Sequence, residues 1–64
     1  MPKIERTVHL PYQGQNYIYT VCAHSDARAV LDATHKLEEE LGKMRGSLKK
    51  EINAVLDNVI VQLK

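Results

Sequence analysis

The apolar residues of this chain change their period at His24, and that switch restricts the fold more than any other feature. Before it, the pattern repeats every second residue. Ile4, Val8 and Leu10 point one way, with Arg6 interrupting, and Glu5, Thr7 and His9 point the other. In residues 17–23, Tyr17, Tyr19, Val21 and Ala23 alternate with Ile18, Thr20 and Cys22. Period-two runs rich in β-branched and aromatic residues read as strands. PYQGQN lies between them, with Pro11, Gly14 and Asn16 supplying turn chemistry. The expectation is a β-hairpin with a loop of several residues. Two strands do not hold together alone in water, so the hairpin should pack on a helix and offer an edge to another copy.

After His24 the period becomes helical. Ser25 or Asp26 suits a helix N-terminus. Val30, Thr34, Leu37, Leu41, Met44 and Leu48 then follow at steps of four, three, four, three and four. This is coiled-coil spacing. A strict heptad would next place Glu51 in the seam, but the stripe shifts to Ile52, Leu56, Val59 and Leu63. The helix either continues through a stutter or breaks at Gly46-Ser47, with Gly46 as C′ glycine and Ser47 as the next N-cap. A continuous helix would hold about 38 residues over roughly 57 Å and would need a second chain along most of its length. The kinked continuous form is the favoured expectation. The sequence therefore predicts an α+β fold. It has a β-hairpin over about residues 3–23, followed by one long kinked amphipathic helix or two helices over about 26–63 (ββα or ββαα). All of residues 1–64 form a single small domain, expected to be dimeric.

Composition makes assembly the expected source of stability. A chain of 64 residues buries too little surface to be robust alone. The single cysteine cannot close an internal disulfide, and tryptophan and phenylalanine are absent, leaving an aliphatic core with tyrosine. Nothing at the N-terminus has the apolar length of a signal peptide, and no stretch is long enough to span a membrane. A lone thiol and no disulfide framework point to a reducing cytoplasm. The formal net charge is +1, but acids dominate from Ser25 to Glu40 and bases alone occupy Leu41 to Lys50. Such blocks can guide antiparallel or staggered pairing between chains. The plainer reading is a solvated helix surface, with Glu39 and Lys43 as an i,i+4 pair.

Chemical motifs are sparse. Cys22, His24 and His35 contain only one close pair, whereas structural zinc wants four ligands, commonly in two pairs. A cysteine–histidine catalytic pair needs a pocket and an oxyanion hole that so short a chain hardly encloses. Strand alternation makes Cys22 a packing residue. Gly42 and Gly46 fall on one helix face but flank Lys43-Met44-Arg45, so they mark no membrane span. Gly14 stands apart from any phosphate-binding motif. No catalytic, cofactor-binding or metal-binding residue is assigned. The expected interface is Leu37, Leu41, Met44, Leu48, Ile52, Leu56, Val59 and Leu63, with Tyr12, Tyr17 and Tyr19 as a further partner surface. The expected partners are a second copy or a larger protein, with no small-molecule substrate, no membrane and no direct role for nucleic acid. An alternative comes from Arg6-Thr7-Val8-His9-Leu10-Pro11, which resembles the DNA-reading strand of a ribbon-helix-helix dimer.

Gly14-Gln15-Asn16-Tyr17 at the turn, Cys22 at the strand end, Val30, Ala33, Leu37 and Leu41 on the helix, and Lys43-Met44-Arg45 after it form a series. Over residues 6–48 this series is similar to the N-terminal part of ZapA-type cell-division proteins. That resemblance implies a non-enzymatic regulator that binds a tubulin-like division protein as a dimer or tetramer. The separate long coiled coil of that family has no counterpart here. Leu48 to Leu56 also resembles the helix of the small accessory subunit of the KEOPS tRNA-modifying complex, which implies docking on a larger subunit. In either case the expectation is an assembly module or accessory subunit without catalysis.

Overall fold

A computed structural model describes residues 3–63 of the chain. The strands are β1 (Ile4–Tyr12) and β2 (Gln15–Ala23), followed by helix α1 (Asp26–Glu40) and helix α2 (Lys49–Ala54). A 3-10 turn (Leu56–Asn58) then leads into strand β3 (Ile60–Leu63). The sheet is antiparallel throughout in the order β2-β1-β3, so β1 is central. The α+β class and the hairpin-then-helix order match the expectation.

The hairpin closes more tightly than expected. Its turn is only Gln13-Gly14, and both residues have positive φ (50° and 77°). That is the backbone of the I′ turns, whose twist matches paired strands. Pro11 and Asn16 therefore face each other inside the ladder. The pair that closes a two-residue hairpin exchanges hydrogen bonds, so Pro11 sits at a non-bonded position with its missing N–H directed away from β2. β3 pairs with β1 only from Arg6 to His9, and so stops short of the proline.

Ser25 caps α1: its side chain accepts from the Arg28 N–H. The helix then packs across β2 and β1. Ala29, Ala33 and Leu37, spaced by four, are fully buried against Val8, Leu10, Tyr12, Val21 and Ala23. Alanine at the two positions nearest the start lets the helix lie close to the sheet.

The long helix is corrected. α1 ends at Glu40, and Gly42 with φ 70° is its C′ glycine, not Gly46. The Lys43 N–H bonds Glu38 O and the Gly42 N–H bonds Glu39 O, the paired pattern of a Schellman motif. Both glycines lie outside the helices, so they share no helix face. Lys43 falls beyond the helix end, which removes the i,i+4 geometry with Glu39. Ser47 is not the next cap; Leu48 takes that position without a side-chain bond. Glu38 does the work instead. It is buried, and its carboxylate accepts from the Gly46 N–H at 2.9 Å and the Leu48 N–H at 2.8 Å. This turns the chain so that Leu48 and Ile52 complete the core.

The C-terminal residues, expected to be helical to position 63, are a strand. Val59-Ile60-Val61 is a β-branched run, which loses side-chain freedom in a helix and suits a pleated sheet. Replacing Glu38 by alanine would leave two inward-directed N–H groups without an acceptor. We expect it to cost about 2–4 kcal/mol of folding stability, read from the urea midpoint.

Candidate functional site

The sheet has one covered face and one open face. Arg6, Val8, Leu10 and Tyr12 of β1 and Tyr17, Tyr19, Val21 and Ala23 of β2 lie under α1. Arg6 would interrupt that apolar face, but its guanidinium turns to the Asp26 carboxylate at the start of α1 and to the carbonyls of Ala23 and His24. The opposite face carries a row of Ile18, His9 and Ile60 across the three strands, with both isoleucines more than half exposed. Asn16 Nδ2 lies 3.4 Å from His9 Nδ1, while the His9 Nε2 atom is enclosed without a hydrogen-bond partner. Cys22 belongs to this face and is exposed, which corrects its reading as a packing residue. The alternation was right, but nothing covers that side of β2. His24 follows the strand and shares a concavity with Cys22, whereas His35 on α1 lies against Arg45 (3.3 Å), so the three possible ligands are not brought together.

The predicted interface divides into two sets. Leu37, Leu48 and Ile52 are buried in the chain's own core, because the stripe folds back on itself after Gly42. Leu41, Met44, Leu56 and Leu63 are exposed, Met44 most of all at 83%. Leu56 and Val59 line an apolar groove with Ala27 and Val30 on the α2 side of α1. Of the tyrosines, Tyr12 is a core residue whose ring tilts against Tyr17 with centroids 6.5 Å apart, and Tyr17 and Tyr19 are half-buried.

The longest open feature is the outer edge of β2. Over nine residues it has no charge and no proline, and its pairing to β1 runs without a bulge. Edge strands are ordinarily protected by one of these devices or by being short, as the four-residue β3 is. Above this edge, α1 presents Arg28, Asp32, Lys36 and Glu40, one per turn and alternating in sign. Arg28 and Asp32 share a concavity with Cys22 and Ala23, and Lys36 and Glu40 share one with Tyr19. Arg28 Nε is 3.4 Å from Asp32 Oδ1. This charge row was not singled out in the sequence. Its signal was the i,i+4 spacing, which became meaningful only once the turn side of β2 was known.

The Tyr19 hydroxyl donates to the Glu40 carboxylate. Partial burial of the ring, and then that carboxylate, hold the Tyr19 ionisation above its ordinary value. The unfolded chain loses this proton near pH ~10 while the folded chain retains it. Stability should therefore be full below that pH and fall as pH rises beyond it. Tyr19→Phe should flatten this alkaline slope in pH-dependent urea titrations, and an unchanged slope would mean that Tyr19 contributes nothing to it.

Among the described residues, no helix is long and apolar enough to cross a membrane. No family model, curated protein or solved structure matches this chain.

Proposed function

We propose that this chain is a non-enzymatic assembly module, a homodimer or an accessory subunit, that joins its sheet to another chain by strand addition at β2. The observation that carries this reading is the nine-residue, uncharged, proline-free β2 edge. Strand addition takes affinity from main-chain hydrogen bonds and specificity from alternate side chains. The odd-numbered residues of β2 bond to β1, so Asn16, Ile18, Thr20 and Cys22 direct their backbone groups outward. Their side chains lie on the open face, where a joining strand would extend the Ile18-His9-Ile60 row.

The ribbon-helix-helix alternative has less support. It needs a strand free to pair between chains and an outward basic residue, whereas β1 is paired on both sides and Arg6 is engaged with Asp26. The assembly half of the proposal rests on this geometry. A tubulin-like division protein as the client, or a KEOPS-type complex as the host, rests on the sequence resemblance alone. We place the module in the cytoplasm, where an exposed thiol such as Cys22 stays reduced.

Hydrogen exchange tests the reading. In the assembled state the amides of Ile18 and Thr20 should slow relative to the dilute chain, while those of Tyr17 and Tyr19 stay unchanged. Thr20→Pro removes one outward N–H without touching the β1 ladder, and should abolish the added protection with the circular dichroism spectrum retained. Edge amides that exchange freely in an assembled sample would end the proposal.

A further inference from the structure

We infer that the concavity between the end of α1 and the loop after it is an anion site for a phosphate monoester, held by Lys36, Lys43 and Arg45. It uses none of the backbone groups that strand addition needs, and does not rest on that reading.

The reversal at Gly42 assembles the site. His35, Lys36 and Glu39 fall on one side of α1, with His35 four residues and Lys36 three residues before Glu39. Because the chain turns back at Gly42, Lys43 and Arg45 return against that side, and the five residues line one concavity. The returning loop is fixed at both ends by one residue. The Lys43 N–H bonds the Glu38 carbonyl at 2.8 Å, and the Gly46 N–H bonds the Glu38 carboxylate at 2.9 Å. Arg45, between these anchors, is oriented in turn: its Nη2 lies 3.3 Å from His35 Nδ1. A guanidinium can only donate, so Nδ1 accepts and the imidazole keeps its proton on Nε2. The loop backbone and the guanidinium are thus positioned before any ligand arrives, which lowers the ordering cost of binding.

The charges around the concavity do not balance. Lys36, Lys43 and Arg45 face one carboxylate, that of Glu39, so three positive charges stand against one. Among the described residues, the ion pairs join Arg6 to Asp26 and Arg28 to Asp32, and neither involves this cluster. The neighbouring acid, Glu40, accepts from the Tyr19 hydroxyl. Cations beyond a helix C-terminus often serve only to answer its dipole. Here the carbonyls of Leu37, Glu38 and Glu39 already accept from the backbone N–H groups of Leu41, Lys43 and Gly42. The helix end is satisfied without these side chains.

An excess of two positive charges matches a phosphate monoester, which carries about −1.5 to −2 near neutral pH. A single carboxylate would leave one charge uncompensated. The donor types agree, since arginine presents a planar fork to phosphate and the lysines supply mobile point charges. Met44, between Lys43 and Arg45, is exposed, so the body of the ligand has an apolar neighbour beside the site.

Amide NMR with inorganic phosphate tests the site on the whole chain, at about 0.15 M NaCl to screen diffuse attraction. The signals of Lys43, Met44 and Arg45 should shift saturably with a dissociation constant of about 1 mM, and acetate should not reproduce the shifts. Arg45→Ala should weaken binding about tenfold, and Arg45→Lys, which keeps the charge without the fork, should recover only part of it. Glu39→Gln removes the opposing charge and should tighten binding about threefold, a gain that no loss of folding imitates. Lys50→Ala, at an exposed base outside the concavity, should change nothing. Vesicles of phosphatidylcholine with about one-fifth phosphatidic acid separate two sources of the group. Cosedimentation that Arg45→Ala removes and Met44→Ser weakens assigns the site to a lipid headgroup. Phosphate binding without cosedimentation assigns it to a soluble monoester. Shifts that fail to saturate by about 20 mM, with no cosedimentation, overturn the site. So does an acetate response equal to that of phosphate, or a loss in Lys50→Ala as large as that in Arg45→Ala.

Discussion

Two backbone N–H groups, of Gly46 and Leu48, donate to one buried carboxylate, Glu38, which sits two residues before α1 ends. The C-terminal third of the molecule depends on that contact. A helix of six residues has no stability of its own, because nucleation alone outweighs what so few bonds return. α2 persists because Glu38 fixes its first turn and thereby seats Leu48 and Ile52 against Leu37 and the sheet. Only with α2 held there does the chain emerge beside β1, where Ile60–Leu63 can take up their pairing. The same carboxylate would be costly if left buried without donors. The loop and the glutamate are therefore each other's condition for being inside.

Much of the first forty residues was legible because their signals are local. Alternation gave both strands, Gly14 located the turn, and Ser25 marked the helix start that its hydroxyl does cap. After Glu40 the signals that mattered were not local. The stepping from Leu37 through Leu41 and Met44 to Leu48 looks like a continuous seam, yet Leu41 and Met44 are exposed, and the chain reverses between them at Gly42. A seam count cannot see a glycine that lies between two of its own positions. Glu38 was still harder to see. On a helix rich in acids it looks like a surface residue, and only the backbone of a loop eight to ten residues later shows why it is buried. The β-branched run at Val59 was visible, but the apolar face it seemed to widen on a helix concealed it.

The candidate site divides in the same way. An unprotected strand can be read from residues 15–23 alone, since it has neither charge nor proline. Which of its faces is covered cannot, as Cys22 shows: alternation assigned it to the correct side, and that side turned out to be open. The charge row on α1 acquires its meaning from the position of the helix over β2, which is a property of packing rather than of spacing.

Three strands under one helix also explain why the edge and the marginal size of the domain are one constraint. β1 uses both of its sides, so every further gain in burial must come at β2 or β3. β3 is bounded by the proline that follows its partner residues on β1 and cannot lengthen past His9. The groove between α1 and α2 is apolar but interrupted by Thr34, Lys49 and Asn53. β2 alone combines length with an outer edge that faces away from β1. A domain of 64 residues leaves a large share of its surface to water. Joining another strand at β2 would pair the backbone of the longest free edge. Folding and assembly would then draw on the same surface, and the stability of the chain would rise with the concentration of whatever strand joins it.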